Sequence, residues 1–200
     1  VERSRGLGDV YKRQILTIIF IYGCSKQPSS IKAKQDGKPL IVMYGDFKCP
    51  YCKKVEDKVM PKLRNKYIDK NKVKFQYVNL AFIGKDSIIG SRAQQAVNHY
   101  APKYSLQFQK LMFEHQKDED KKWITHTLID KQIDKLNISN KTKDKIKTNY
   151  KTKNSTSWKA AEKDKKLGKE HHIKQTPTVF IEGKKVKDPY DFSSYQKLLE

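Results

Sequence analysis

Pro39-Leu40-Ile41-Val42-Met43-Tyr44-Gly45-Asp46-Phe47-Lys48-Cys49-Pro50-Tyr51-Cys52 is the stretch on which the reading of this chain turns. Its first six residues form a short apolar run closed by Gly45-Asp46, the pattern of a buried central strand. A Cys-x-x-Cys pair follows at once, and Pro50 suits the first position of a helix. Val55, Val59, Leu63 and Tyr67 then recur every four residues and give that helix one apolar face. Pro61 lies inside it and predicts a kink near residues 57–60. A sulfur at a strand-to-helix junction sits among free backbone N–H groups at the positive end of the helix dipole, which favours thiolate over thiol at Cys49. Lys48, Lys53 and Lys54 add positive charge close by in sequence. An unperturbed thiol of pKa about 8.5 is roughly 3% ionised at pH 7. Lowering that pKa by about two units raises the ionised share to roughly three-quarters. Cys52, one turn further in, is expected to be shielded by the helix. By spacing alone the pair also fits half of a zinc site, but no second pair is present to complete a four-thiolate set, and no metal is expected.

Downstream, Lys72 to Leu80 alternates in the manner of a second strand. From Asp86 to about Lys153 the period becomes helical, in four segments. Ile88 to Tyr100 forms the first and Leu106 to Phe113 the second, with Pro102 between them. Trp123 to Leu136 makes the third, and a weaker fourth is marked by Ile146 and Tyr150. A helix from about Ser155 to Leu167 follows, with Gly168 near its end. Then come a strand over Thr178–Ile181, a turn at Glu182-Gly183, a returning strand over Lys184–Lys187, and a last helix opened by Asp188-Pro189.

Upstream, Ile15 to Gly23 is apolar over nine residues, about 14 Å as a helix against about 30 Å of bilayer hydrocarbon. That is too short to span a membrane and right for the core of a signal peptide. Ile21-Tyr22-Gly23-Cys24 reads as a bacterial lipobox, with Cys24 as the lipidated residue and Ser25 to Gly37 as a polar tether. A buried strand ending in a structural cysteine is the alternative. Residues 1–14 hold three of the five arginines and do not match the remainder; they are read as a non-native leader. The formal charge of +21 comes overwhelmingly from scattered lysines. Without Arg-rich runs or interleaved stacking aromatics it suggests solvated helix faces and attraction to an anionic envelope, and no nucleic-acid partner.

The order strand–helix–strand, helical insertion, β-hairpin and helix, with Phe47-Lys48-Cys49-Pro50-Tyr51-Cys52 and Thr176-Pro177, resembles the DsbA family of thiol–disulfide oxidoreductases, and within it the lipoprotein branch of staphylococci. Val59-Met60-Pro61-Lys62-Leu63-Arg64, Val78-Asn79-Leu80-Ala81-Phe82, Ser157-Trp158-Lys159-Ala160-Ala161 and Asp188-Pro189-Tyr190-Asp191 extend the likeness over nearly everything after the tether. The resemblance implies an α/β thioredoxin fold with an inserted helical domain: residues 38–85 as its first part, 86–154 as the insertion and 155–200 as its second part. It implies Cys49 as nucleophile and Cys52 as resolving thiol. It also implies a cis peptide at Pro177, and Pro50, Tyr51, Thr176 and Pro177 orienting the substrate chain. No cofactor beyond the Cys49–Cys52 disulfide is expected. The expected setting is a monomer held by lipid on the outer face of a bacterial membrane, acting on thiols of secreted proteins. Two departures from the family pattern stand out. Met43 occupies the position of a buried acid that serves as proton relay for the second thiol in many thioredoxin-like enzymes, leaving Glu56 as a substitute candidate. Tyr51 stands where Gram-negative relatives carry His. His171-His172 lies near Pro177 and is a candidate border of the site. Two other readings stay open at this point: a thioredoxin-like reductant or isomerase, and a lipid-anchored binding protein whose cysteine pair is structural.

Overall fold

The computed structural model describes residues 31–200; the leader, the signal-peptide core, Cys24 and the first part of the tether lie outside the described residues. The sheet is organised around one strand, β2 (Lys38–Gly45). Its apolar run is buried on both faces, as a central strand requires. β3 (Lys74–Asn79) pairs with it in parallel, Met43 facing Tyr77 and Gly45 facing Asn79. β4 (Thr178–Ile181) pairs antiparallel on the other edge, and β5 (Lys184–Lys185) returns against β4. Glu182 and Gly183 both take positive φ, 49° and 79°, which makes the tight hairpin between them.

The helix after the cysteines breaks where Pro61 predicts. α1 (Pro50–Lys58) ends at Val59, α2 (Met60–Leu63) restarts with Pro61 in its first turn, and a π-helical turn (Arg64–Ile68) follows. α3 (Ser87–Tyr100), α4 (Ser105–Glu114), α5 (His126–Asp134) and α6 (Asn140–Lys151) lie between β3 and α7 (Thr156–Glu170). α5, α6 and α7 each open on a hydroxyl cap: Thr125, Ser139 and Ser155 accept from the third backbone N–H beyond them. Two apolar clusters line the sheet. The larger joins Ile41, Met43, Phe47, both cysteines and Tyr77 to the inner faces of α1 and α3–α6; the smaller gathers Leu40, Val42, Tyr44, Val78 and Leu80 under α7.

Four expectations need correction. The tether does not extend to residue 37. Lys34 and Gln35 form β1 against Pro39 and Lys38, because Asp36-Gly37, both at positive φ, makes a two-residue hairpin turn. Trp123 and Ile124 precede α5 instead of belonging to it; their backbone N–H groups donate to Asp86. Gly168 lies near the end of α7 as expected, where the Leu80 side chain fills the space a Cβ would take. The last helix, α8 (Phe192–Leu199), opens at Asp191, whose side chain accepts from Ser193 N–H. Asp188 is used up in a turn, accepting from Tyr190 N–H at 2.8 Å. The returning strand is shorter than expected and covers Lys184–Lys185, with Val186 N–H still donating to the Val179 carbonyl at 2.8 Å.

Candidate active site

The parallel strands β2 and β3 end side by side, so the turns that follow both lie at one edge of the sheet. The turn after β2 carries Cys49, and its shape is set by Asp46. One carboxylate oxygen accepts from Lys48 N–H at 2.9 Å and from the Ser87 hydroxyl at 2.9 Å; the other accepts from Phe82 and Ile83 N–H at 2.9 and 3.1 Å. The fully buried acid thus ties the cysteine turn to the turn after β3. Lys48 follows it inward. Its Nζ donates to Asp86 at 2.9 Å and to the Lys121 carbonyl at 2.9 Å, while Trp123 and Ile124 N–H converge on the same carboxylate. Burial works against the Asp86 charge, but Lys48 and these two N–H groups hold its acidity stronger than usual. From α4's far end, Gln116 donates to the carbonyls of Phe47 at 2.6 Å and Cys49 at 3.0 Å.

Cys49 is the N-cap of α1. Its sulfur accepts from Cys52 N–H at 3.3 Å, and the Thr176 carbonyl lies 3.5 Å from it. The thiol pKa is lowered to about 6: the Cys52 thiol donates to the thiolate, burial opposes, and the Thr176 side chain and the Cys52 and Tyr51 backbone N–H groups add donors. At pH 7 a group of that acidity is roughly nine-tenths ionised. Cys52 has no exposure at all. Burial pushes its pKa well up, and the neighbouring Cys49 pushes it further. Two thiols three residues apart are therefore split in acidity. The lysines contribute little to this. Lys48 is spent on Asp86, Lys53 is paired with Asp57 at 2.8 Å, and Lys54 lies over the Tyr190 ring. The expectation of direct lysine assistance is corrected: donors at the helix terminus account for the thiolate.

Thr176-Pro177 is a cis peptide, and it lies against the cysteine pair. Beside it runs a groove of about 390 Å³ lined by Tyr51, Thr176, Pro177, Val186, Pro189 and Tyr190. Pro50 is exposed next to Tyr51 in the chain, and Tyr51 is 60% exposed, one of two large apolar side chains so open among the described residues. The candidates Cys49, Cys52, Pro50, Tyr51, Thr176 and Pro177 are thus brought together. Glu56 is not among them: Arg64 and Gln109 hold its carboxylate at 2.9 and 2.8 Å. His171 is turned to the other face of the sheet, where it hydrogen-bonds Tyr44, and His172 is exposed. Among the described residues no group of three His, Cys, Asp or Glu gathers to hold a metal.

The thioredoxin family model matches residues 31–200. Disulfide bond formation protein D of Bacillus subtilis is 32% identical over 181 residues, 88% of this chain and 79% of the relative. The chain belongs to the DsbA family of thiol–disulfide oxidoreductases. A probable disulfide bond formation protein D of Bacillus cereus is also 32% identical, over 84% of this chain and 75% of the relative. The crystal structure of oxidised BdbD from Bacillus subtilis superposes with a TM-score of 0.72 at 30% identity, covering 86% of this chain and 94% of that one. DsbA of Chlamydia trachomatis shares the fold at 16% identity, with a TM-score of 0.67 over 86% of this chain and 92% of that one. This DsbA-family enzyme carries its redox centre in the cysteine pair itself. Sequence reasoning missed Asp46, Asp86 and Gln116, which position the cysteine turn; each makes at least one contact 36 residues or more away in sequence that no local pattern announces.

Proposed function

We propose that the protein oxidises paired thiols of proteins outside the cytoplasm, with Cys49 as the exchanging sulfur and Cys52 as the resolving one. The asymmetry of the two thiols carries this reading: one acidic and at the helix terminus, the other buried and weakly acidic. A substrate thiolate attacks Cys49 in the Cys49–Cys52 disulfide, and the S–S electron pair leaves on Cys52. The second substrate thiolate then attacks the substrate sulfur of the mixed disulfide and expels Cys49 as thiolate. A low leaving-group pKa speeds that release. The substrate loses two electrons to the enzyme pair, so a full cycle ends with the reduced dithiol. Pro50, Tyr51, Thr176 and Pro177 are assigned to orienting the substrate chain along the groove. The relatives named for disulfide bond formation support the oxidising direction. Cys24 is assigned as a lipid anchor to the outer membrane face, on the strength of the short apolar run before it. No helix among the described residues is long and apolar enough to cross a membrane.

The test is oxidation of a dithiol peptide by the purified oxidised protein, with trapping. Given the disulfide form of the same peptide, Cys52→Ser accumulates mixed disulfides through Cys49, releasing the peptide's other sulfur as thiolate, and Cys49→Ser accumulates none. Equal trapping by both variants, or reduction of disulfides without oxidation of dithiols, overturns the assignment. Fatty-acid labelling that depends on Cys24 tests the anchor.

A further inference from the structure

The groove beside Cys49 carries charge of one sign. Lys185 and Lys187 are the charged residues of its lining, and no acid joins them. In a chain of formal charge +21 two lysines mean little by number, so their setting matters more than their count. They flank Val186, whose side chain is buried and whose N–H donates to the Val179 carbonyl at 2.8 Å. Lys185 itself lies opposite Phe180 in the β4–β5 pair. Both side chains are thus rooted in a wall tied to the sheet, while both residues stay exposed to water. The acids nearest to them in sequence are engaged elsewhere: Glu182 lies 4.0 Å from Lys34, and Asp188 accepts from Tyr190 N–H at 2.8 Å. Among the described residues no ion pair occupies Lys185 or Lys187. Lys54 adds a cation at the Tyr190 wall, 4.6 Å from the ring centroid. The other segment bordering the cysteine turn is balanced. Residues 117–122 follow Gln116, which grips the Cys49 carbonyl, and they hold three lysines and three acids, with Lys121 paired to Asp118 at 2.8 Å.

We propose that Lys185 and Lys187 are specificity-determining residues that select substrate segments carrying carboxylates beside the reacting cysteine. This rests on the oxidoreductase reading above and deepens it by naming the substrate class, an acidic extended segment. A chain laid along Thr176-Pro177 toward Tyr190, with its sulfur at Cys49, passes both ammonium groups. A carboxylate at that place meets two cations with no other claim on them. A lysine there meets like charge, the arrangement by which an interface rejects a wrong partner. Tyr51 and Tyr190 supply apolar contact that is indifferent to the sign of a neighbour's charge, so the lysines make the choice. Because their ammonium groups remain in water, each pairing is weak and screened by salt, and the selection falls chiefly on encounter.

The test uses dithiol peptides that differ only in the residues on either side of the first cysteine: Glu, Gln or Lys. A neighbouring carboxylate also raises a thiol's own pKa, so each rate is divided by that of the same peptide with a small uncharged disulfide. In single turnover with the oxidised protein at low salt, the Glu peptide should react about tenfold faster than the Lys peptide, with the Gln peptide between them. High salt should shrink that ratio to about two- to threefold. Lys185→Glu combined with Lys187→Glu should invert the order, and the milder Lys185→Gln with Lys187→Gln should flatten it. Lys141→Glu with Lys145→Glu makes the same change of net charge at exposed positions of α6 and should preserve the order. Equal normalised rates for the three peptides with the wild type overturn the selection and leave the oxidoreductase reading standing. The same response from the groove and α6 variants also overturns it, as the mark of overall charge. Oxidation of none of the peptides overturns that reading and the selection with it.

Discussion

Cys49 and Asp164 are both buried acids, set against opposite faces of one sheet, and their acidities move in opposite directions. Cys49 falls to about 6 while Asp164, by burial, is pushed up to about 7 in spite of a 2.7 Å hydrogen bond from Gln95 and a 3.2 Å one from Asn79 N–H. The difference lies in where each sits on its helix. Cys49 caps α1, so the Cys52 thiol one turn on, foremost, and the first backbone N–H groups, which have no intrahelical partner, converge on its sulfur. Asp164 is in the middle of α7, where every N–H of its own helix is already bonded, and it depends on two neutral donors from elsewhere. Burial opposes ionisation in both; the supply of donors to the charged form decides the sign.

The largest effect expected from challenging this arrangement is at the support beneath the cysteine turn. Asp86→Ala leaves the Lys48 charge and two backbone N–H groups buried without their acceptor, and should cost about 3–5 kcal/mol in urea denaturation. Next comes Asp164→Asn, which mimics the protonated acid. The folded pKa of Asp164 lies above its unfolded value, so its contribution is present at low pH and lost as pH rises from about 4 through about 7. The variant should match the wild type near pH 4 and exceed it above pH 7 by on the order of 2–4 kcal/mol. Equal stability across that range would mean the carboxylate is accommodated as well as the sulfur is. Cys49 has the reverse sign. Its folded pKa is depressed, so the reduced protein gains stability over Cys49→Ala as pH rises from about 6 to about 8.5 and loses it as pH falls through about 6. The gain should be about 1–2 kcal/mol after allowance for solvent at the sulfur. The smallest effect is on acidity alone. Cys52→Ala removes the foremost donor but leaves the backbone N–H groups, so the alkylation midpoint of Cys49 should rise by about one pH unit and remain below an ordinary thiol.

Much of this was legible in the residues. The apolar run from Pro39, the Cys-Pro-Tyr-Cys junction and the Pro61 break are local patterns, and the strands and helices follow them closely. The cis bond at Pro177 came from family likeness, since an X–Pro pair says little by itself. What was not legible depends on distant partners. Lys48 reads in sequence as a cation beside a thiolate, and only the fold reveals that Asp86, 38 residues on, claims it. Asp188 reads as a helix opener because Pro189 follows, but its carboxylate closes a turn and Asp191 takes the cap. His171 is near Pro177 along the chain and on the wrong side of the sheet in space.

The grip of Gln116, Lys121 and Asp86 on the cysteine turn bears on how this fold can be re-engineered. A minimised protein made by splicing β3 directly to α7 would keep every strand and both cysteines, yet would delete all three of these anchors. The carbonyls of Phe47 and Cys49 would lose their side-chain donor, and the Lys48 ammonium its acceptors. The graft that preserves function in this chain is not the four-residue motif with its helix but that motif together with the segments that clasp it from 38 to 73 residues downstream.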